Sequence, residues 1–239
     1  MILEVKDVSS GYYIGANIIH EMTLKIPQGQ VVALIGPNGC GKSTLLKTIY
    51  GFLKPNEGEI SFDGVSLVGK RPDEMLYKLK IAYIPQAWGI FPDLTVLDNL
   101  KLGMWSYRKD KKRIESAIDM AFDIFPKLKD KRYKKSGVLS GGMRKMLEVA
   151  RVMLHKVNFI LLDEPTAGLA PIVVQDLIPI LKELKERNIG ILIVDHNVRM
   201  LFEVSDYIYV VSHDGRIIKE DSTERLGEGL SKIIHKWII

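Results

Sequence analysis

The segment GPNGCGKST at residues 36–44 has the glycine, lysine and serine spacing of a phosphate-binding loop. An apolar run of strand length precedes it and a helical pattern follows it, which is the context that gives this spacing its meaning. Its glycines let successive backbone N–H groups face a phosphate chain, and the helix N-terminus adds a partial positive charge. Lys42 would reach the β- and γ-phosphates of a nucleotide, and Ser43 would supply a hydroxyl to Mg²⁺. The predicted nucleotide-binding residues are Gly36, Pro37, Asn38, Gly39, Cys40, Gly41, Lys42, Ser43 and Thr44.

Two acidic residues, Asp163 and Glu164, follow the apolar run FILL at residues 159–162. Asp163 is expected at the carboxyl edge of a buried strand, where open α/β sheets bind their ligands. Mg²⁺ prefers carboxylate, water and phosphate oxygens, so we predict that Asp163 binds this metal, mostly through water. Glu164 is placed to orient and polarise a water that attacks the γ-phosphate. A solvated strand end is the alternative, but the phosphate loop in the same chain favours the catalytic role.

Gln86 and His196 follow two further apolar runs, at residues 81–84 and 191–194. Strands that end on one side of a parallel sheet converge on one crevice, so both side chains are predicted to face the γ-phosphate. The alternative for each is a plain surface residue. Four other histidines, at positions 20, 155, 213 and 235, lack this setting and are interpreted as structural.

A second helix start occurs in the segment LSGGMRKML at residues 139–147. Ser140 is a good N-cap residue, and Gly141 and Gly142 leave the N–H groups of the first turn open to an anion. The loop at 36–44 already surrounds the phosphates of its own nucleotide. We therefore predict that a second copy presents the start at Ser140, in a two-fold symmetric dimer that encloses two ATP molecules. Loss of the γ-phosphate would open that dimer.

Short apolar strands alternate with amphipathic helices, which predicts an α/β fold with a mostly parallel, helix-covered sheet. Closely spaced strands near the N-terminus predict a flanking antiparallel sheet, and helical patterns from about residue 95 to 156 predict an inserted helical subdomain. Pro179 should kink the helical run 172–187. The predicted N-terminal strands are 2–5, 18–26, 31–35 and 58–62, and the later core strands are 159–163, 190–194 and 207–211.

The composition excludes several classes of protein. The chain has 239 residues, 46% hydrophobic content and one cysteine, which predicts a sizeable core and no internal disulfide, as in cytosolic proteins. No apolar run approaches the roughly 20 residues of a membrane span, and we expect no secretory signal. The excess of basic over acidic residues is concentrated in residues 108–113 and 127–135. These segments predict a solvated face or, alternatively, attraction to an anionic membrane surface; aromatic residues do not alternate with them, so no nucleic acid partner is predicted.

The ordered set of these motifs resembles the ATP-binding subunit of ABC transporters, across essentially the whole chain. The resemblance implies a P-loop NTPase (RecA-like) core with an N-terminal antiparallel β subdomain, formed by residues 1–87 and 157–239, and an inserted α-helical subdomain at 88–156. The loop at 36–44 is similar to the Walker A motif of that family. Residues 163 and 164 are similar to its Walker B carboxylates.

The same resemblance implies roles for further residues. Tyr13, in SSGYYIG, is similar to the aromatic residue that stacks on adenine. Gln86 is similar to the residue of the loop that senses Mg²⁺ and the membrane partner, and His196 is similar to the switch histidine. Residues 140–142 are similar to the signature that caps the ATP of the opposite subunit.

Three segments, at residues 91–105, 125–131 and 163–171, resemble the ATPase subunits of importers for branched-chain and related hydrophobic amino acids, amides or urea. Two residues depart from the commonest pattern of the wider family: Met143 replaces Gln at the end of the signature, and Ala170 replaces Asp in the D-loop. The resemblance implies hydrolysis of ATP, with Mg²⁺, in a head-to-tail homodimer or heterodimer. The implied location is the cytoplasmic face of the cell membrane, with permease subunits as partners and, indirectly, a substrate-binding protein.

Two other functions remain open. An exporter or lipid-extraction ATPase would carry the same hydrolytic motifs. A non-transport ABC ATPase of DNA repair or translation is disfavoured, because such proteins usually carry long coiled coils, zinc-binding cysteines or two cassettes in one chain.

Two apolar segments have no catalytic interpretation. The first contains Trp88, Ile90 and Phe91, which are interpreted either as core or as a groove for a helix of a membrane subunit. The second contains the apolar positions 233, 234, 237 and 238, which are interpreted as packing on the protein's own core.

Overall fold

A computed structural model describes residues 1–13, 15–87 and 89–227 of the chain. Trp88, His235 and the apolar positions 233, 234, 237 and 238 lie outside the described residues. Of the helices within these ranges, none is both long enough and apolar enough to cross a membrane.

The strands of the described ranges form two sheets. A six-stranded sheet has the order β10-β9-β3-β8-β7-β6, in which β10 alone runs antiparallel to its neighbour. A four-stranded antiparallel sheet has the order β2-β1-β4-β5. The strands are β1 (Ile2–Ser10), β2 (Ile19–Pro27), β3 (Val31–Ile35), β4 (Glu57–Phe62), β5 (Val65–Ser66), β6 (Ile81–Ile84), β7 (Phe159–Asp163), β8 (Gly190–Val194), β9 (Tyr207–Val211) and β10 (Ile217–Ser222).

Helices occupy most of the chain between β6 and β7, as the sequence predicts. The described α-helices are α1 (Lys42–Ile49), α2 (Pro72–Tyr77), α3 (Val96–Gly103), α4 (Lys111–Ile124), α5 (Pro126–Lys129), α6 (Gly141–Met153), α7 (Pro171–Val174), α8 (Leu177–Glu186), α9 (Val198–Val204) and α10 (Thr223–Gly227). Short 3₁₀ turns at Trp105–Tyr107 and Ser136–Val138 join some of them.

Two hydrophobic cores lie on opposite faces of the six-stranded sheet. One face packs against the helices α3 to α9, and the other packs against the four-stranded sheet and α1. Alternate residues of one strand enter different cores: Val31 and Ala33 belong to the first, and Val32 and Leu34 to the second. Burial on both faces explains why β3, β7 and β8 are continuous apolar runs.

The strand at 31–35 was grouped by the sequence with the antiparallel strands, and this grouping is wrong. β3 lies near the centre of the six-stranded sheet, parallel to β8 on one side and β9 on the other. Its uninterrupted apolar pattern is typical of a strand buried on both faces, whereas strands with one solvated face alternate polar and apolar residues.

The first strand is longer than its apolar pattern predicts. Lys6 and Asp7 are exposed in the middle of β1, and the pairing register shifts between Val5 and Val8. The extra residue of this irregularity returns Val8 to the buried face, so the strand continues to Ser10.

Near Pro179 the hydrogen bonding of the predicted helix is broken, although the backbone keeps helical dihedral angles at the junction. The run 172–187 is divided into α7 and α8, with the break at Gln175 and Asp176. Proline in a helix removes the hydrogen bond to the carbonyl four residues earlier and collides with it, and here that carbonyl belongs to Gln175. Pro179 therefore lies in the first turn of α8, where its missing N–H needs no partner.

Candidate functional site

The loop between β3 and α1 is shaped by glycines. Gly39 and Gly41 have φ angles of 80° and 97°, a left-handed conformation that residues with a side chain adopt at a cost. A Cβ at Gly41 would collide with Ile19, and one at Gly36 would lie 2.6 Å from the carbonyl oxygen of Val211. The backbone of this loop can therefore approach a ligand closely while it packs against the sheet behind it.

Lys42 points back over this loop. Its side chain is buried, and its Nζ donates to the carbonyl oxygens of Gly36 and Pro37 at 2.9 and 2.8 Å. The ammonium group is thus already held above the backbone that would surround a phosphate chain.

Cys40 is a small buried side chain in the same loop. Its burial raises the pKa of the thiol, and this effect outweighs the opposing effect of the neighbouring Lys42.

Asp163 ends β7 beside the loop and is held by two hydroxyl groups. Ser43 Oγ donates to Oδ1 at 2.7 Å, and the Tyr83 hydroxyl donates to Oδ2 at 2.8 Å. Burial, followed by the hydrogen bond to Asp163, raises the pKa of Tyr83 far above its ordinary value, so this phenol is a neutral donor. The sequence analysis did not identify Tyr83, which looks like an ordinary aromatic residue of a strand.

The pair of Ser43 and Asp163 fits a magnesium ion beside a nucleotide. Among the described residues there is no group of three or more His, Cys, Asp or Glu side chains that could hold a metal. A Mg²⁺ ion here would take the Asp163 carboxylate and the Ser43 hydroxyl together with water and phosphate oxygens. The Gln86 amide oxygen, which does not face Glu164, is available as a further ligand.

Glu164, Gln86 and His196 meet in one cluster, as the sequence predicts. The Gln86 Nε2 donates to Glu164 Oε2 at 2.8 Å, and His196 Nε2 lies 2.7 Å from Glu164 Oε1. Glu164 itself has a φ of 44°, and its N–H donates to the carbonyl of Val194 at 2.8 Å. A non-glycine residue in this conformation is uncommon and often marks a functional site. The turn directs the two neighbouring carboxylates, at 163 and 164, to different partners.

Two further residues, Asp195 and Thr166, support this cluster and were not assigned a role from the sequence. The buried Asp195 carboxylate accepts the backbone N–H and the hydroxyl of Thr166, and also the N–H of Asn197. The sequence contained one signal that Asp195 has a role: it is an acidic residue between a buried strand and a candidate histidine. No pattern in the sequence indicated that Thr166 is its partner.

The second predicted anion site begins α6. Ser140 is the N-cap, and its Oγ accepts the N–H of Met143 at 3.3 Å. A Cβ at Gly142 would lie 2.9 Å from Asp176 Oδ2, so this glycine allows α6 to pack closely where α8 begins. In the part of the chain that the structure describes, no hydrogen bond joins residues 140–142 to residues 36–44.

Tyr13, the predicted adenine contact, lies on a turn with its side chain 79% exposed. The neighbouring Tyr12 contacts α1 instead, because Lys47 Nζ donates to its hydroxyl at 3.1 Å. The exposed ring of Tyr13 is thus free to stack on a base.

The chain matches the family model of the ABC transporter over residues 19–167. This chain belongs to the ABC transporter family. It is 34% identical to the high-affinity branched-chain amino acid transport ATP-binding protein BraG of Pseudomonas aeruginosa, over 90% of this chain and 91% of BraG. It is also 34% identical to the lipopolysaccharide export system ATP-binding protein LptB of Haemophilus influenzae, over 94% of this chain and 92% of LptB. The protein is therefore an ABC transporter ATP-binding subunit and an ATPase.

Solved structures support the same assignment. The ADP conformation of an ATP-binding cassette of an ABC transporter is 31% identical, with a TM-score of 0.87, over 99% of this chain and 98% of that chain. A dimeric cassette in a post-hydrolysis state, bound to ADP and phosphate, is 26% identical, with a TM-score of 0.73, over 92% of this chain and 98% of that chain. The predicted fold class, a P-loop NTPase with an antiparallel β subdomain, is confirmed.

Tyr83→Phe tests whether the hydroxyl on Asp163 prepares the metal site. The substitution keeps the ring that stacks on Tyr50, with centroids 5.5 Å apart, but removes the donor that orients the carboxylate. Loss of a residue that orients a metal ligand typically weakens metal binding about 10-fold or more. We expect the Mg²⁺ concentration for half-maximal ATP hydrolysis to rise by about 10-fold. Tyr50→Phe is the control, and an equal Mg²⁺ requirement in the two variants would contradict the expectation.

Proposed function

We propose that this ABC transporter subunit hydrolyses ATP to drive the import of branched-chain or other hydrophobic amino acids, or of a related small solute. The proposal that the protein hydrolyses ATP at this site is supported by the contacts of the Glu164 carboxylate with Gln86 and His196 at one edge of the sheet. The cargo class is supported by the similarity to BraG and by the three segments that resemble importer ATPases.

ATP binds with its phosphates along residues 36–44 and its adenine against the ring of Tyr13. The backbone N–H groups of the loop and the N-terminus of α1 face the phosphate chain. Lys42 leaves the carbonyls of Gly36 and Pro37 and pairs with the β- and γ-phosphate oxygens. Ser43, Asp163 and Gln86 would hold Mg²⁺, which would neutralise phosphate charge.

Glu164 accepts a proton from the attacking water. The water oxygen forms a bond to the γ-phosphorus while the bond from that phosphorus to the bridging oxygen of ADP breaks, which yields ADP and phosphate. Gln86 and His196 fix the carboxylate from two sides, so that it keeps one orientation toward the water. The same His196 Nε2 group lies on the side of the sheet that would face the γ-phosphate, where negative charge must be stabilised.

A second subunit completes each site. Ser140, Gly141 and Gly142 present the start of α6 to the ATP that the partner holds, and the reverse contact forms at the other site. The similar dimeric cassette that holds ADP and phosphate supports this arrangement. The partner is a second copy or a related ATPase.

Permease chains provide the membrane path, and a separate protein binds the solute. A cavity of about 280 Å³, lined partly by Pro85, Gly89 and Arg151, lies beside the loop after Gln86 and could receive a permease segment. Of the two described residues in the ambiguous segment, Ile90 packs on the core and Phe91 is exposed. The proposed location is peripheral, at the cytoplasmic face of the membrane.

An exporter or lipid-extraction ATPase is the second candidate, because LptB has the same 34% identity to this chain as BraG. Purification from native membranes with the associated chains, identified by mass, separates the two. We expect permease chains together with a solute-binding protein. Lipid-export components in their place would support the second candidate, and neither result bears on ATP hydrolysis.

Glu164→Gln tests the role of this carboxylate. The amide is similar in size but cannot accept a proton, and a general base commonly contributes about 10²- to 10⁴-fold to the rate. We expect turnover to fall by at least about 100-fold, ATP to bind as in the parent, and the protein to accumulate as a dimer on ATP. Glu183→Gln, in an exposed pair with Arg187, is the control. Hydrolysis by Glu164→Gln at the parent rate would disprove the assignment.

Ser140→Arg tests action across the dimer interface. A large cation at the start of α6 should block contact with the partner's ATP while leaving the phosphate loop of the same chain intact. We expect ATP binding by the monomer to be unchanged and cooperative turnover to be lost. Ser116→Arg adds the same charge on an exposed face of α4 and should keep turnover. Loss of ATP binding by the Ser140→Arg monomer would show that this residue acts within its own chain.

A further inference from the structure

Asp195 is a buried carboxylate between the loops that follow β7 and β8. It is 2% exposed. Its Oδ2 accepts the Thr166 N–H at 2.9 Å, and its Oδ1 accepts the Thr166 hydroxyl at 2.5 Å and the Asn197 N–H at 2.8 Å. Three donors from two loops therefore hold this carboxylate.

These hydrogen bonds connect the two loops that carry the cluster. Thr166 lies two residues after Glu164, and Asp195 lies directly before His196. The backbone makes one further link at this edge, from the Glu164 N–H to the carbonyl of Val194. The contact of 2.7 Å between Glu164 and His196 depends on both loops keeping these positions.

We propose that Asp195 is a positioning residue for ATP hydrolysis. Its carboxylate sets the distance between Glu164 and His196 by fixing the loop after β7 to the loop after β8. The inference rests on the roles proposed above for Glu164 and His196. Because Thr166 also begins the segment TAGLA, the same carboxylate connects that segment to the loop of His196.

An amide cannot replace this carboxylate. Asparagine has one oxygen and one NH₂ group, whereas the site presents two backbone N–H donors to two different oxygens. In either orientation of the amide, its NH₂ group faces one of these backbone N–H groups. One loop then loses its hydrogen bond and is repelled from the position that it occupies in the parent.

The first test compares Asp195→Asn with the parent in steady-state ATP hydrolysis. We expect kcat to fall by at least about 10-fold, since a small misplacement of groups can reduce a rate by that much or more. The KM for ATP and the dissociation constant of ATP should change by less than about 2-fold, because Asp195 does not contact the phosphate loop in the described structure. A residue that only stabilised the fold would leave the kcat of the folded protein unchanged.

Asp206→Asn is a matched control. Asp206 directly precedes a core strand, whereas Asp195 directly follows one. Asp206 accepts the backbone N–H of Val31 at 2.9 Å and pairs with Lys185, and it lies at the opposite edge of the sheet. Its substitution should lower the melting temperature and leave kcat within about 2-fold of the parent, because the cluster is remote. Comparable kcat losses in both variants would overturn the proposal, since they would reflect general loosening of the fold.

A second pair of variants keeps the proposal testable if Asp195→Asn does not fold. Thr166→Val removes only the hydroxyl donor, and Thr166→Ser retains it. We expect the valine variant to lose more turnover than the serine variant, because only valine lacks the hydroxyl that donates to Asp195. Equal kcat values for the valine and serine variants would contradict the role of the hydroxyl.

Hydrogen exchange distinguishes this inference from the proposed function. In Asp195→Asn and in Thr166→Val, without nucleotide, we expect faster exchange of the amides at Thr166 and Asn197 than in the parent. Unchanged exchange at both positions would refute the connection between the loops, whatever the turnover. An active Glu164→Gln variant would instead refute the proposed catalytic role, and faster exchange in Asp195→Asn would still establish the connection.

Discussion

The register of three parallel strands brings together the side chains that we propose act in ATP hydrolysis. Ile84 pairs with Leu162, and Asp163 pairs with Val194. Gln86 lies two residues after Ile84, Glu164 two residues after Leu162, and His196 two residues after Val194. These three residues lie in the loops that begin at the strand ends, so a shift of one residue between two strands would displace one loop by about 3.3 Å and separate the groups. The buried apolar runs of β6, β7 and β8 fix that register, so the cores on both faces of the sheet hold the site in place.

Within this register, two adjacent carboxylates have different surroundings. Asp163 receives hydroxyl groups from Ser43 and Tyr83, which leave its oxygens suited to a metal ion beside the phosphate loop. Glu164 receives an amide and an imidazole, from side chains that follow the strands on either side. The positive φ of Glu164 separates the directions of the two side chains. The local backbone conformation therefore separates the carboxylate that we propose binds metal from the one that we propose accepts a proton.

The sequence predicted the parts of this site that depend on short-range pattern. The phosphate loop has a fixed spacing, and the strands at 159–163, 190–194 and 207–211 have the observed bounds because each is a short apolar run between polar residues. The neighbours of β3 could not be predicted, since an apolar run does not specify which strands flank it. Tyr83 and Thr166 were missed for the same reason: their roles depend on contacts with residues 80 and 29 positions away.

The helix that begins at Ser140 is also joined to the loop that follows Gln86. Glu148 on α6 accepts the N–H of Gly89, and Arg151, one turn further, donates to the carbonyl of the same residue. Glu148 also forms a buried ion pair with Lys145, with 2.5 Å between the charged atoms. Burying two charges carries a large desolvation cost, which close pairing and additional hydrogen bonds must offset. Separation of Gly89 from α6 would remove one of those hydrogen bonds from a buried carboxylate, so the loop and the helix are expected to move as one unit.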